Sequence, residues 1–150
     1  MAPYRNVVVG TDGSPTATAA VTAAAELASA SGARLTVVTA FAPHPAQTAR
    51  AMEEAPEEIK WRITESGQAD EKAGEACRLA RELGVKDVRA RSEPGDPAEA
   101  LIGVAEDTGG DVIVVGSKGM TGAARFVLGS VPNKVSHHAP CDVLIVNTVH

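Results

Sequence analysis

The 150 residues amount to about one domain, enough to bury roughly 70% of the surface that the unfolded chain would expose. A net charge of −5, from 14 basic against 19 acidic residues with no basic cluster, repels a phosphate backbone, and only 3% aromatic residues leave no stacking platform for single strands, so nucleic acid is excluded as a partner. With 44% hydrophobic and 22% charged residues the composition is that of an ordinary soluble α/β protein rather than a disordered or fibrous one.

The first element in the chain is a strand at residues 6–9 (NVVV), reached from residues 1–4 without the basic and apolar segments of an export signal. No later run approaches the ~18 apolar residues of a membrane span, so a cytoplasmic protein without a membrane partner is expected. Ser14 as cap and Pro15 in the first turn open a helix whose apolar face is Ala17, Ala20, Val21, Ala24 and Ala28, and Gly32 closes it. A second strand follows at 35–41. The connection after it, 42–56 (APHPAQTARAMEEAP), far exceeds the usual two to six residues of such loops, and its composition favours a solvated excursion over a lid.

A second helix shows Ala69, Ala73, Ala76, Cys77, Ala80 and Leu83 on one face and ends at Gly84. The run 88–92 alternates apolar with charged residues and predicts an edge strand. Asp96, Pro97 and Glu99 form a cap, a first-turn proline and a capping-box acid for a third helix through Ala98, Leu101, Ile102 and Ala105, closed by Gly109. The runs 112–115 and 143–146 complete the strands, with a last helix at 131–138 between them. Like 6–9 and 35–41, these two runs are nearly continuous in apolar residues, as strands covered on both faces should be. Cys77 and Cys141, one in a predicted helix and one at the start of a predicted strand, fit reduced core thiols better than a disulfide or metal framework.

Strands alternating with helices predict one α/β domain over 1–150, a doubly wound parallel sheet with helices on both faces. In such a sheet ligands bind outside the carboxyl ends of the strands, where the winding reverses. The first and fourth strands are natural neighbours at that point. The stretch 10–14 (GTDGS) would therefore face 116–130 (GSKGMTGAARFVLGS) across one crevice. Gly116 and Gly119 permit positive φ and let consecutive N–H groups point at an anion. Gly129 and Ser130 precede the last helix, whose N-terminus adds free N–H groups and the positive end of a dipole. A polyphosphate could lie across both amide clusters, with Lys118 and Arg125 for charge and the Ser130 hydroxyl for a hydrogen bond. The stretch matches neither G-x-x-x-x-G-K-[ST] nor G-x-G-x-x-G. On spacing alone the glycines could equally make a turn and a tight helix-to-strand approach.

Gly116-x2-Gly119-x9-Gly129-Ser130, followed by Val135, Ala139-Pro140-Cys141 and the run Val143-Leu144-Ile145-Val146, resembles the ATP-binding signature of the universal stress protein family. The resemblance covers essentially the whole chain, through VVVGTDGSPTA, ARLTVVTAF and EPGDPAEALIGVAEDTGGDVIVVGSKGMTG. It implies a single Rossmann-like domain with five parallel strands in the order 3-2-1-4-5, usually paired as a homodimer through the last strand. It also implies ATP as ligand, with Mg2+ as a candidate companion. By position, Asp12, with Gly10 and Thr11 beside it, would meet the adenosine or ribose end, and Ala40 would meet adenine through its backbone. Gly116, Ser117, Lys118 and Gly119 would wrap ribose and phosphate, with Arg125 adding charge, and Gly129, Ser130 and Val131 would hold the distal phosphates. Without the family, Asp12 reads as an acid favouring the start of a helix, and Lys118 as a solvated loop lysine. Pro132 departs from the Ser or Thr usual there and removes a hydroxyl and an N–H beside the distal phosphate.

Nothing in the sequence supplies a persuasive nucleophile or base. His137 and His138 are helical neighbours that point in different directions, and His44 and His150 have no evident partner; no metal site is expected. Three functions follow. The first is a cytosolic, ATP-dependent regulator in stress response. The second is a slow ATPase or autophosphorylating protein, in which Asp12 holds a metal and Ser130, Thr121 or Ser117 accepts phosphate. The third is an interaction module of the same fold without nucleotide.

Overall fold

The computed structural model describes residues 4–41, 65–117 and 130–148. Within them run β1 (Asn6–Gly10), α1 (Pro15–Ser31), β2 (Arg34–Phe41), α2 (Glu65–Glu82), β3 (Val88–Pro94), α3 (Pro97–Thr108), β4 (Val112–Gly116), α4 (Ser130–His138) and β5 (Asp142–Val146). All strand pairs are parallel, and the order β3-β2-β1-β4-β5 is the one expected.

Period-two alternation divides the core. Val7, Val9, Leu35, Val37, Val112 and Val114 point to the face covered by α1 and α2. Val8, Val38, Ile113 and Val115 point to the face covered by α3 and α4. A central strand buried on both sides needs apolar residues at consecutive positions, as at residues 7–9 and 112–115, while β2 also buries Thr36 and Thr39. On α1 the buried residues are Ala20, Val21, Ala24, Ala25 and Ala28. Four of the five are alanine, so the helix lies against the sheet through methyl groups.

The helix signals act where the sequence places them. The Ser14 hydroxyl accepts the Ala17 N–H at 3.2 Å, and the Asp96 carboxylate accepts the Glu99 N–H at 3.0 Å. Pro15 and Pro97 occupy first turns, and Gly32 and Gly109 close α1 and α3 in the left-handed region. Cys77 is buried on the packed face of α2 and Cys141 is half-buried before β5; burial raises both thiol pKa values.

Two strands differ from expectation. β3 continues to Pro94 rather than stopping at 92, because its pairing with β2 runs on to Phe41↔Pro94; a proline without an N–H is tolerated on an edge strand. The run 143–146, expected to be covered on both faces, forms the other edge, and Leu144 and Ile145 are 41% and 36% exposed. The stretch 42–56, with His44, and His150 lie outside the described residues. Among the described residues no helix is long and apolar enough to cross a membrane, and no group of three His, Cys, Asp or Glu is placed to hold a metal ion.

Candidate functional site

The last β1–β4 pair is Val9↔Val114, beyond which β1 leads into α1 on one face while α4, after β4, lies on the other. Between the departing chains opens a cleft of about 250 Å3. It is lined by Gly10, Thr11 and Asp12 after β1, by Ser14, Thr16, Ala17 and Ala20 of the α1 start, and by Val38 and Ala40 of β2. Pro97 and Leu101 of α3, Val115 and Gly116 of β4, and Ser130, Val131 and Pro132 of α4 complete it. The crevice expected at the reversal of winding is present, and it gathers Gly10, Thr11, Asp12, Ala40, Gly116, Ser130 and Val131. Lys118, Gly119, Arg125 and Gly129, with Thr121, lie outside the described residues.

The turn after β1 is held by its own side chains. Thr11 donates its N–H to the Val38 carbonyl at 2.9 Å, and its hydroxyl accepts the Gly13 N–H at 3.1 Å. Gly13 sits at φ +82°, where a side chain would be strained and would also meet the Lys72 stem at 3.3 Å. The Asp12 carboxylate accepts the Ser14 N–H at 2.9 Å. Partial burial opposes its charge, but the hydrogen bonds from Ser14 and the Lys72 ammonium outweigh that and hold its pKa below the ordinary carboxylate value. At neutral pH the cleft therefore carries one fixed negative charge here, suited to hydroxyl or amine donors and unsuited to phosphate.

β2 outruns β1. The β1–β2 register ends at Gly10↔Val38, whereas β2 stays paired with β3 as far as Phe41. Because Val38 presents its carbonyl toward β1 and peptide groups alternate along a strand, Ala40 presents its N–H and C=O to the same side, beyond the last β1 partner. A planar ligand with an adjacent donor and acceptor could complete that edge.

At the other side of the cleft, α4 begins with Ser130 and Val131, whose helical start supplies N–H groups and a positive dipole end. Pro132, buried in that first turn, contributes no N–H. Lys134 of α4 binds Asp96 at 3.3 Å and Glu99 at 3.1 Å, tying the α4 start to that of α3.

Two candidates have structural duties as well. A Cβ on Gly10 would lie 3.2 Å from the Leu101 side chain, a tight approach that Leu101 would have to yield to, so packing against α3 also bears on this position. The Ser117 hydroxyl accepts the Thr148 N–H at 3.1 Å, and its own N–H donates to the Val146 carbonyl at 2.7 Å. Sequence reasoning missed Thr16, Ala17, Ala20, Val38, Pro97, Leu101 and Val115 as lining residues. Pro97 was within reach, because the loop after the third strand meets the same carboxyl-end rule applied to the first and fourth. Among the described lining residues there is no His, Cys or Lys. His137 and His138 sit at the far end of α4, their ring centroids 6.4 Å apart and tilted by 56°.

The cleft thus offers a carboxylate, an exposed strand edge and a helix N-terminus in one space, a combination that fits a molecule with an anionic end and a hydroxyl-bearing or planar polar end. Comparison with known proteins agrees with this architecture. The model of the universal stress protein family matches residues 3–147. The universal stress protein Rv1636 of Mycobacterium tuberculosis is 38% identical over 148 residues, 99% of either chain. A putative universal stress protein of Staphylococcus aureus is 31% identical over 151 residues, covering 99% of this chain and 87% of that one. A universal stress protein crystallised in complex with cAMP superposes with a TM-score of 0.76 at 34% identity, covering 98% of this chain and 99% of that one.

Proposed function

Because the chain belongs to the universal stress protein family, we propose that its cleft binds an adenine nucleotide, with ATP as the first ligand, and that binding makes it a cytosolic regulator in stress response rather than an efficient enzyme. The observation that carries this is the convergence, in one cleft, of the Ala40 strand edge, the ionised Asp12 and the α4 N-terminus. The Ala40 N–H and C=O match the donor and acceptor on one edge of adenine. Asp12 accepts from ribose hydroxyls, which a carboxylate at neutral pH favours and phosphate does not. Gly116, Ser117, Lys118 and Gly119 wrap ribose and phosphate, and Gly129, Ser130 and Val131 receive the distal phosphates, with Arg125 for charge. Were Mg2+ to accompany the nucleotide, Asp12 is the cleft carboxylate that would hold it, and the ion would neutralise phosphate charge. The exposed Leu144 and Ile145 support pairing with a second copy through β5.

Pro132 favours a second ligand class. With one N–H fewer at the α4 start, a compact monophosphate, AMP or cAMP, demands less of that end of the cleft than a triphosphate. The likeness to the cAMP-bound structure points the same way.

Calorimetry with ATP, AMP and cAMP on the full chain tests both ligand classes. Asp12→Asn should weaken every adenine nucleotide by about tenfold, the scale of a lost charge-assisted hydrogen bond. Gly119→Val and Gly129→Val should abolish binding of phosphorylated ligands while the fold remains. If wild type binds none of the three, the chain is the interaction module instead. Release of ADP over hours from ATP, lost in Asp12→Ala, would favour the slow ATPase.

A further inference from the structure

We infer that Thr148 is a positioning residue that joins the nucleotide cleft to the β5 edge, so that ligand binding and pairing of two copies report on each other; this rests on the nucleotide reading and the β5 pairing proposed above. Gly116 lines the cleft, and the next residue, Ser117, is held by the neighbouring strand β5 and its continuation. Its N–H donates to the Val146 carbonyl at 2.7 Å, extending the β4–β5 ladder one residue past Gly116↔Val146. Its hydroxyl accepts the Thr148 N–H at 3.1 Å and lies 3.5 Å from the Thr148 hydroxyl, at the limit of hydrogen-bond reach.

Thr148 is only 6% exposed although it lies two residues beyond β5. A polar residue stays buried there because its groups are partnered. The orientation of the Gly116–Ser117 peptide, the first one to leave β4 toward the ligand, is therefore set by β5 and its continuation. The same strand presents Leu144 and Ile145 to solvent. A second copy seated on those residues would fix β5, and through Thr148 it would fix Ser117 in one arrangement, leaving less ordering to be done when a nucleotide binds. By linkage the nucleotide must favour pairing by the same factor.

The test is to measure the dimer dissociation constant by sedimentation, with and without saturating ATP, and the ATP dissociation constant by calorimetry below and above the dimer constant. Wild type should show one factor, about fivefold or more, in both measurements. Thr148→Pro, which deletes the donating N–H, should still bind ATP and still pair, with the factor reduced toward one. Thr148→Val, which keeps the N–H, should retain most of it. A wild-type factor of one, or a Thr148→Pro variant with the full factor, would each overturn the inference alone, whereas a wild type that never pairs would overturn the proposed β5 pairing and this inference with it. A chain that pairs but binds no adenine nucleotide would overturn the nucleotide reading and this inference with it.

Discussion

The two edges of the sheet solve the same problem in opposite ways. β3 exposes a row of backbone groups but surrounds it with charge. Asp87, just before it, binds Arg34 at 2.9 Å and Arg89 at 3.1 Å, while Arg91 binds Glu93 at 2.6 Å and reaches Asp107 at 3.6 Å. β5 exposes Leu144 and Ile145 and carries one acid, Asp142, at its start, where the Tyr4 hydroxyl donates to it at 3.0 Å. Charged edges discourage strand addition, and apolar ones invite it. The difference teaches that two edges of one sheet can present opposite surfaces, one lined with ion pairs and the other with exposed apolar side chains.

The largest effect should come from making β5 resemble β3. Leu144→Lys with Ile145→Lys removes most of the apolar contact a second copy would bury, worth roughly 2–4 kcal/mol, so the dimer constant should weaken by about 30- to 1000-fold. Sedimentation measures it, and unchanged pairing would mean that β5 is not the interface. The converse change, Arg89→Val with Arg91→Val, should create self-association through β3 at concentrations roughly tenfold lower than wild type requires there, visible by light scattering. Were no association to appear, the charges would not be what protects this edge.

A smaller effect concerns pH. Hydrogen bonds from Arg34 and then Arg89 hold the Asp87 carboxyl below its ordinary value. Its stabilisation is therefore complete above the ordinary carboxylate range and fades as the pH falls through the lower folded value. Asp87→Asn should lower the urea midpoint slightly at pH 7, match wild type near pH 2, and lose most of its difference in 1 M salt at pH 7. The smallest effect is local. Tyr4→Phe should leave the global midpoint unchanged and speed amide exchange at the start of β5 more than in β3.

This contrast also marks where sequence reading reaches its limit. The run 143–146 and the run 112–115 look alike as sequence, yet one is an edge and the other is central. An apolar run reports that a strand belongs to the sheet, not whether it lies at the centre or the edge. The caps at Ser14 and Asp96 were legible because they rest on local chemistry and the parallel sheet because strands alternate with helices, whereas the strand order came from the family resemblance. Asp12 and the Ala40 edge were legible as positions, and the Ser14 hydrogen bonds that do most to lower the Asp12 pKa are local, but the partial burial that opposes them and the smaller pull of Lys72 from α2, 60 residues along the chain, were not. Ser117 carried a double assignment that spacing could not show, because its partner Thr148 is 31 residues distant.

The alanines of α1 have one more consequence. A helix seated on methyl groups has almost nothing to lose by truncation and little room for enlargement, so the damaging substitutions along Ala20, Ala24 and Ala28 are those that add atoms. A valine or leucine there would lift α1 from the sheet, and because α1 starts beside Asp12, the displacement would be felt at the mouth of the cleft. At Ala24 and Ala28, which lie outside the cleft lining, a bulky replacement could thus reshape the cleft from a distance.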